Sequence, residues 1–287
     1  MKLRILLIFL LLMKFVFAEV AINGKIYLLP LENGVKEVLV GSKKTPILSK
    51  NGEKVALVAV PYRQSEKIEV SLIKENSKEV KAIEVIKGDY LSETLQVEPS
   101  KITPPKELEE RIKSEYEEAM KIYATFSLKR FWSEDFLTPL SSKITSPFGA
   151  ARVFNDSLKS YHSGVDFRAA IGTKIHATND GVVVLSKERY YAGGSVIIDH
   201  GEGVYSSYLH LSQMPLQVGD RVKKGDLIGL SGASGRVTGP HLHFGIIIQG
   251  TTVDPLHFIK TINELNSSIG FDGVDTKNND DKSSNDS

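Results

Sequence analysis

The sequence predicts a mostly β protein: a small N-terminal β-sandwich, a connecting amphipathic helix, and a C-terminal segment of short strands. Three observations carry that expectation. Residues 25–29, 35–40, 55–60, 67–73 and 80–86 are rich in Val and Ile and are separated by turn signals such as Asn33-Gly34 and Asn51-Gly52. From residue 104 to 126, Leu108, Ile112, Tyr116, Ala119, Tyr123 and Phe126 recur every three or four positions. After residue 215, Gly219, Gly225, Gly229, Gly232, Gly235 and Gly239 punctuate short apolar runs, as tight turns between strands require.

Within the first region, Ile68, Val70 and Leu72 alternate with polar residues, the period of a half-buried strand. No histidine precedes His162, so this region carries no evident chemistry. Residues 98–105 hold three prolines and read as a linker, with Thr103 placed to cap the helix that Pro104-Pro105 opens. The helix has a charged face of Glu109, Glu110, Arg111, Lys113, Glu117 and Glu118, so its apolar row is expected to dock on a neighbouring domain. The expected organisation is residues 1–18 as a signal peptide and 19–97 as a β-domain. Residues 98–127 form linker and helix, 128–262 the chemical domain, and 263–287 a disordered tail rich in Asn, Ser and Asp.

Composition excludes several classes. The chain has 287 residues, 41% hydrophobic and 25% charged, enough for about two packed domains. Its net charge of +1 lacks the basic excess of a nucleic-acid binder, and no nucleic-acid partner is expected. The absence of cysteine removes disulfides, Cys-ligated metal and a thiol nucleophile. Lys2 and Arg4 precede an apolar run over residues 5–13, and Val16-Phe17-Ala18 ends on a small residue, the pattern of a secretory leader cleaved after Ala18. Such a run is too short to span a bilayer, which takes about 20 residues. Loss of Lys2, Arg4 and Lys14 takes the 36 basic residues to 33 against 35 acidic ones. Export to the periplasm or cell envelope is expected, with no transmembrane segment in the mature chain.

All seven histidines fall between residues 162 and 257. In His162-Ser163-Gly164-Val165-Asp166, Gly164 and β-branched Val165 argue for a loop entering a strand rather than a helix face. In His241-Leu242-His243, two imidazoles two apart would project from one side of a strand. A hydrolytic zinc site needs three protein ligands and one open position. His162, Asp166 and His243 could supply those ligands. His241 would then lie beside the metal, and His210 would have to reach it through the fold, giving two imidazoles for proton transfer and oxyanion stabilisation.

The wording around these residues is more specific than their spacing. Ser146-Pro147-Phe148-Gly149, His162-Ser163-Gly164-Val165-Asp166, Asp199-His200-Gly201, Tyr208-Leu209-His210-Leu211-Ser212 and Gly239-Pro240-His241-Leu242-His243-Phe244 occur in order. Over residues 143–259 the chain resembles the catalytic domain of the lysostaphin/LytM-type zinc metallopeptidases, which cut peptidoglycan peptides. The resemblance implies an antiparallel β domain with a loop-lined groove. It implies zinc as cofactor on His162, Asp166 and His243, with His210 and His241 as the catalytic histidines. It implies hydrolysis of peptidoglycan peptide cross-links, the D-alanyl–diaminopimelate bond being expected and a carboxypeptidase action on the same linkage possible. The alternatives are a glycine-bridge peptidase, or a non-hydrolytic LytM-like factor that binds wall or activates an amidase. His200 is expected to be a structural hydrogen-bonding residue, and His176 and His257 packing or surface residues. The N-terminal half, residues 19–97, could then be regulatory, folding back over the groove, or be a spacer or wall-binding module.

Overall fold

The computed structural model describes residues 19–50, 52–95, 104–154 and 158–267. The expected signal peptide, Thr103 with most of the linker, and residues 268–287 of the expected tail lie outside the described residues.

The N-terminal half contains nine strands: β1 (Val20–Ile22), β2 (Ile26–Leu31), β3 (Glu37–Val40), β4 (Lys43–Lys44), β5 (Ile47–Lys50), β6 (Glu53–Ala59), β7 (Ile68–Ile73), β8 (Lys78–Ile86) and β9 (Ser92–Leu95). A five-stranded sheet, β1-β8-β7-β3-β4, faces a three-stranded sheet, β2-β6-β5, and together they make the expected sandwich. Strand β6 explains how this half is attached. Its Val55, Ala56, Leu57, Val58 and Ala59 are all buried, so both faces of the strand are covered. Ala56 and Val58 point into the sandwich beside Leu29, Val38, Val70 and Leu72. Val55, Leu57 and Ala59 point the other way, into the same cluster as Trp132, Phe136, Phe148 and Phe244 of the C-terminal half. The unbroken apolar run at 55–60 is the sequence mark of this double burial.

The junction is therefore a packed interface. Tyr62 stacks on Tyr161, with centroids 4.0 Å apart, and donates its hydroxyl to the Gly149 carbonyl at 2.9 Å. The Asp254 N–H donates to the Gly24 carbonyl at 2.7 Å. A side chain at Gly24, where φ is +74°, would collide with Phe148 and Tyr90. Strand β9 crosses over to pair in parallel with β11 (Ala151–Phe154) of the other half.

Helix α1 (Glu109–Tyr123) follows a short 3-10 turn at Lys106–Leu108. Its docked row differs from the expected one at a single step. Ala119 is buried, and Ile122 and Tyr123 pack on Leu185, Ile197, Tyr205 and Ile247, but Tyr116 is 63% exposed. Glu115 takes the inward place, with its side chain 13% exposed, because its carboxylate finds backbone and guanidinium partners there.

The C-terminal half is a ten-stranded, antiparallel sheet ordered β10-β13-β20-β17-β16-β15-β18 (Arg221–Val222), with β14 (Lys174–His176), β19 (Leu227–Ser231) and β21 (Thr251–Val253) at its sides. The strands that position the site are β10 (Ile144–Ser146), β13 (Val165–Arg168), β15 (Gly181–Arg189), β16 (Gly193–Gly201), β17 (Val204–Gln213) and β20 (His241–Ile248). β12 (Leu158–Tyr161) pairs with β11 in a separate small sheet and leads straight into His162.

Helix α2 (Pro255–Ser267) closes the fold and corrects the expected tail boundary. Residues 263–267 are helical because Leu265 is buried and Asn263 clamps the backbone of Phe136, accepting its N–H at 2.8 Å and donating to its carbonyl at 2.9 Å. The polar composition that suggested disorder is here the exposed face of a docked turn.

Candidate metal centre

Three strands bring the site together. In the pairing of β13 with β20, Asp166 lies opposite His243 and Arg168 opposite His241. On the other side of β20, His243 lies opposite Leu209 of β17, one residue before His210. His162 enters from the loop before β13, as the Gly164-Val165 step predicts. Gly164 is needed for close approach: a Cβ there would stand 2.6 Å from His243 Nε2 and 2.5 Å from the Phe244 carbonyl oxygen.

His162 Nε2, Asp166 Oδ1 and His243 Nδ1 converge on one point. His162 Nε2 is 2.9 Å from Asp166 Oδ1 and 3.0 Å from His243 Nδ1, and His243 Nδ1 is 2.8 Å from Asp166 Oδ1. This is the group of three metal-capable side chains found among the described residues. The donor chemistry fits a cation. The other His162 nitrogen, Nδ1, donates to the Pro147 carbonyl at 2.8 Å, with Ser146 Oγ 3.2 Å away. That bond sets the neutral ring's tautomer and leaves an Nε2 lone pair facing a carboxylate oxygen, an arrangement that needs positive charge between them. Two imidazoles and one carboxylate match the ligand preference of zinc, and three protein ligands leave the fourth position open. Burial would raise the Asp166 carboxyl, but the adjacent His162 and His243 imidazoles prevail and hold it far below the ordinary carboxylate range. Burial pushes the His243 imidazole down, so it stays unprotonated and available as a ligand.

Two further imidazoles adjoin this centre. The His210 ring lies 4.8 Å from that of His241 and 6.1 Å from that of His243. His210 donates Nδ1–H to the Ser234 carbonyl at 2.9 Å, and His241 donates Nδ1–H to the Gly239 carbonyl at 2.8 Å. Both rings thus keep Nε2 for other work. His241 Nε2 is 3.8 Å from Asp166 Oδ1. Burial, then the neighbouring His243 and His241, lower the His210 pKa to about 4, so its imidazole is neutral at pH 7. The backbone of His210 is left-handed, with φ +64°, an uncommon state for a non-glycine residue that its surroundings must hold.

All five residues singled out from the sequence meet in one place, and the other histidines do not. His200 is fully buried on β16, with Nδ1 donating to the Asp180 carbonyl and Nε2 near Ser206 Oγ, both at 2.7 Å. His176 donates to the Gly225 carbonyl, and His257 lies on α2. Sequence reasoning did not identify the carbonyls of Pro147, Ser234 and Gly239 that orient the rings. Residue type carries no signal for a carbonyl's direction. A cavity of about 530 Å³ lies between α1 and residues 189–192, lined in part by Ile112, Tyr116, Arg189, Tyr191 and Ala192.

This fold and donor set are of the kind a metallopeptidase uses. Residues 160–255 match the profile of peptidase family M23. It is 46% identical over 95 residues to the peptidoglycan DD-endopeptidase ShyA of Vibrio cholerae, covering 33% of this chain and 22% of that protein. It is 38% identical over 117 residues to the DD-carboxypeptidase/endopeptidase Mpg of Neisseria meningitidis, covering 40% of this chain and 26% of that protein. The chain thus spans about a quarter or less of the length of these relatives. The crystal structure of a candidate M23 peptidase from Pseudomonas aeruginosa superposes with a TM-score of 0.68 at 25% identity, covering 83% of this chain and 94% of that one.

Proposed function

We propose that this protein is a zinc-dependent peptidoglycan hydrolase that cleaves peptide cross-links, with the D-alanyl–diaminopimelate bond as substrate and carboxypeptidase action on the same linkage. The observation that carries this reading is the convergence of His162 Nε2, Asp166 Oδ1 and His243 Nδ1, with the His210 and His241 rings 4.8 Å apart beside them. Those three atoms would hold zinc, which when bound would supply Lewis acidity to the site.

The chain's own residues do the rest. His210, kept neutral by burial, accepts the proton of the attacking water at Nε2, its tautomer set by the Ser234 carbonyl. His241, with Nδ1 committed to the Gly239 carbonyl and Nε2 3.8 Å from Asp166 Oδ1, holds the developing oxyanion from Nε2 and then hands that proton to the leaving amine. The DD-endopeptidase and DD-carboxypeptidase/endopeptidase relatives named above support this substrate class. The leader pattern read from residues 1–18 of the sequence supports export to the envelope, where that substrate lies.

The test is digestion of diaminopimelate-type sacculi by the zinc-loaded mature chain, with muropeptides read by mass analysis. Cross-linked dimers become monomers, and a chelator stops the conversion. Untouched dimers with cleavage of pentaglycine bridges would overturn the assigned bond. Untouched dimers with no cleavage of any wall peptide would favour the non-hydrolytic wall-binding or amidase-activating role.

A further inference from the structure

The turn joining β15 to β16, residues 189–194, is held from two sides. On its inner side the His210 N–H donates to the Ala192 carbonyl and the Arg236 N–H to the Tyr191 carbonyl, both at 2.9 Å. The Gly194 N–H donates to Ser234 Oγ at 2.9 Å, and the Ser234 carbonyl is the group that orients the His210 ring. The Arg236 guanidinium lies over the Tyr191 ring, 4.1 Å from its centroid. One turn thus contacts His210 through its backbone N–H and, by way of Ser234, through its imidazole.

On its outer side the turn is held by α1. Glu115 Oε2 accepts the Tyr190 N–H at 2.8 Å, and the Glu115 carbonyl accepts from Arg189 Nη2 at 3.0 Å. Arg111, one helical turn earlier, donates Nε–H to Glu115 Oε1 at 2.7 Å and fixes the carboxylate. A glutamate turned inward in place of the expected Tyr116 is costly unless it finds partners, and these are its partners.

We propose that Glu115 is a positioning residue for His210, acting through the Tyr190–Ala192 backbone. The left-handed His210 backbone cannot hold itself, and Ala192 supplies the acceptor for its N–H. Glu115 fixes where that acceptor stands by binding the N–H of Tyr190, two residues earlier. The connecting helix is then part of the catalytic apparatus rather than a tether. For turnover this inference rests on the hydrolase reading above, and its structural half does not.

The experiment compares Glu115→Ala, Glu115→Gln and Glu118→Ala in the mature chain, each loaded with zinc and checked for metal content. Glu118 docks the same helix on β15 through an ion pair with Lys187, but it does not touch the turn. On soluble cross-linked muropeptide, Glu115→Ala lowers kcat by about 10-fold, as expected when a catalytic group is misplaced by a fraction of an ångström. KM changes less than about twofold, because uniform substrate binding is untouched. Glu115→Gln, which keeps an oxygen acceptor for Tyr190, restores most of the rate, and Glu118→Ala leaves it unchanged. Independently of turnover, hydrogen exchange of the His210 amide speeds up at least about 10-fold in Glu115→Ala and not in Glu118→Ala, while the central β17 and β20 amides keep their protection. Equal effects of Glu115→Ala and Glu118→Ala, or an unchanged His210 amide, would overturn the proposal. A wild-type protein without peptidase activity would sink the hydrolase reading and leave the exchange comparison to decide the positioning role.

Discussion

Between the two sheets of the N-terminal sandwich the buried side chains are Leu29, Val38, Ala56, Val58, Val70, Leu72 and Ile83, and the buried polar residues of that half are Asn23 and Thr45. The ten-stranded sheet, built from strands of the same kind, buries or nearly buries His162, Asp166, His210 and His243, together with Asp199, His200, Ser206 and Ser207. Two β structures in one chain thus treat polarity in opposite ways. The sandwich excludes it, and its two exceptions are tied to backbone: Asn23 accepts the Gly88 N–H at 2.7 Å, and Thr45 donates to the Leu57 carbonyl. The ten-stranded sheet concentrates polarity on β13, β16, β17 and β20, and the rings of His162, His210 and His200 are each oriented by a carbonyl or a serine. Burial without a partner costs about 1–3 kcal/mol per group, so such a core is tolerable only where every group is matched, by protein or by metal.

The strongest way to break this contrast is to remove one of the matched groups. His243→Ala leaves two ligands, so the purified variant should lose most of its zinc and all detectable turnover, as read by metal analysis and muropeptide digestion. His210→Ala and His241→Ala should keep stoichiometric zinc and lose about 10²–10⁴-fold in turnover, the usual worth of general acid–base help. Full zinc retention by His243→Ala would mean that the polar centre is not the metal site.

A core substitution in the sandwich should act on stability alone. Leu72 is fully buried, so Leu72→Ala should cost about 2–5 kcal/mol, measured by denaturant unfolding. Zinc content per folded molecule should not change. A loss of metal affinity in proportion to stability would show that the shared cluster of Leu57, Val55 and Phe148 couples the halves more tightly than the contrast allows.

The smallest effect sharpens the comparison through pH. Burial lowers the His200 pKa from its ordinary 6.5 to about 4, so the unfolded chain binds this proton more readily than the folded one. Its contribution to stability is complete above pH 6.5, declines as pH falls toward 4, and levels off below that. In that window one proton corresponds to a slope of about 1.4 kcal/mol per pH unit. His200→Gln should therefore unfold with a shallower dependence on pH between about 6.5 and 4, although its stability at pH 7 is lower. An unchanged slope would assign the acid sensitivity to other groups.

Local patterns made part of this architecture legible in advance. The alternation of Ile68, Val70 and Leu72 places them on one face of β7, and all three are buried in the sandwich core. The two-residue spacing of His241 and His243 puts both imidazoles on one side of β20, because strand side chains repeat with period two. The His162 to Asp166 step enters β13 as its glycine and β-branched residue suggest. Other features were not local. The apolar run of β6 identifies a strand without saying that its second face belongs to another domain. A row at helical spacing picked Tyr116 where the helix turned Glu115 inward, because one partner of that carboxylate, the Tyr190 N–H, lies 75 residues away in the chain.

The residue types of the centre and its two local pairs, His162 with Asp166 and His241 with His243, are written in short stretches whose geometry follows from backbone periodicity alone. The meeting of those pairs, the arrival of His210 beside them, and the choice of lone pair on each ring came only with the tertiary structure. Register between β13, β20 and β17 sets the first two, and it depends on hydrogen bonds between segments far apart in sequence. The third is set by the carbonyls of Pro147, Ser234 and Gly239, groups that every residue possesses and that only the folded chain aims.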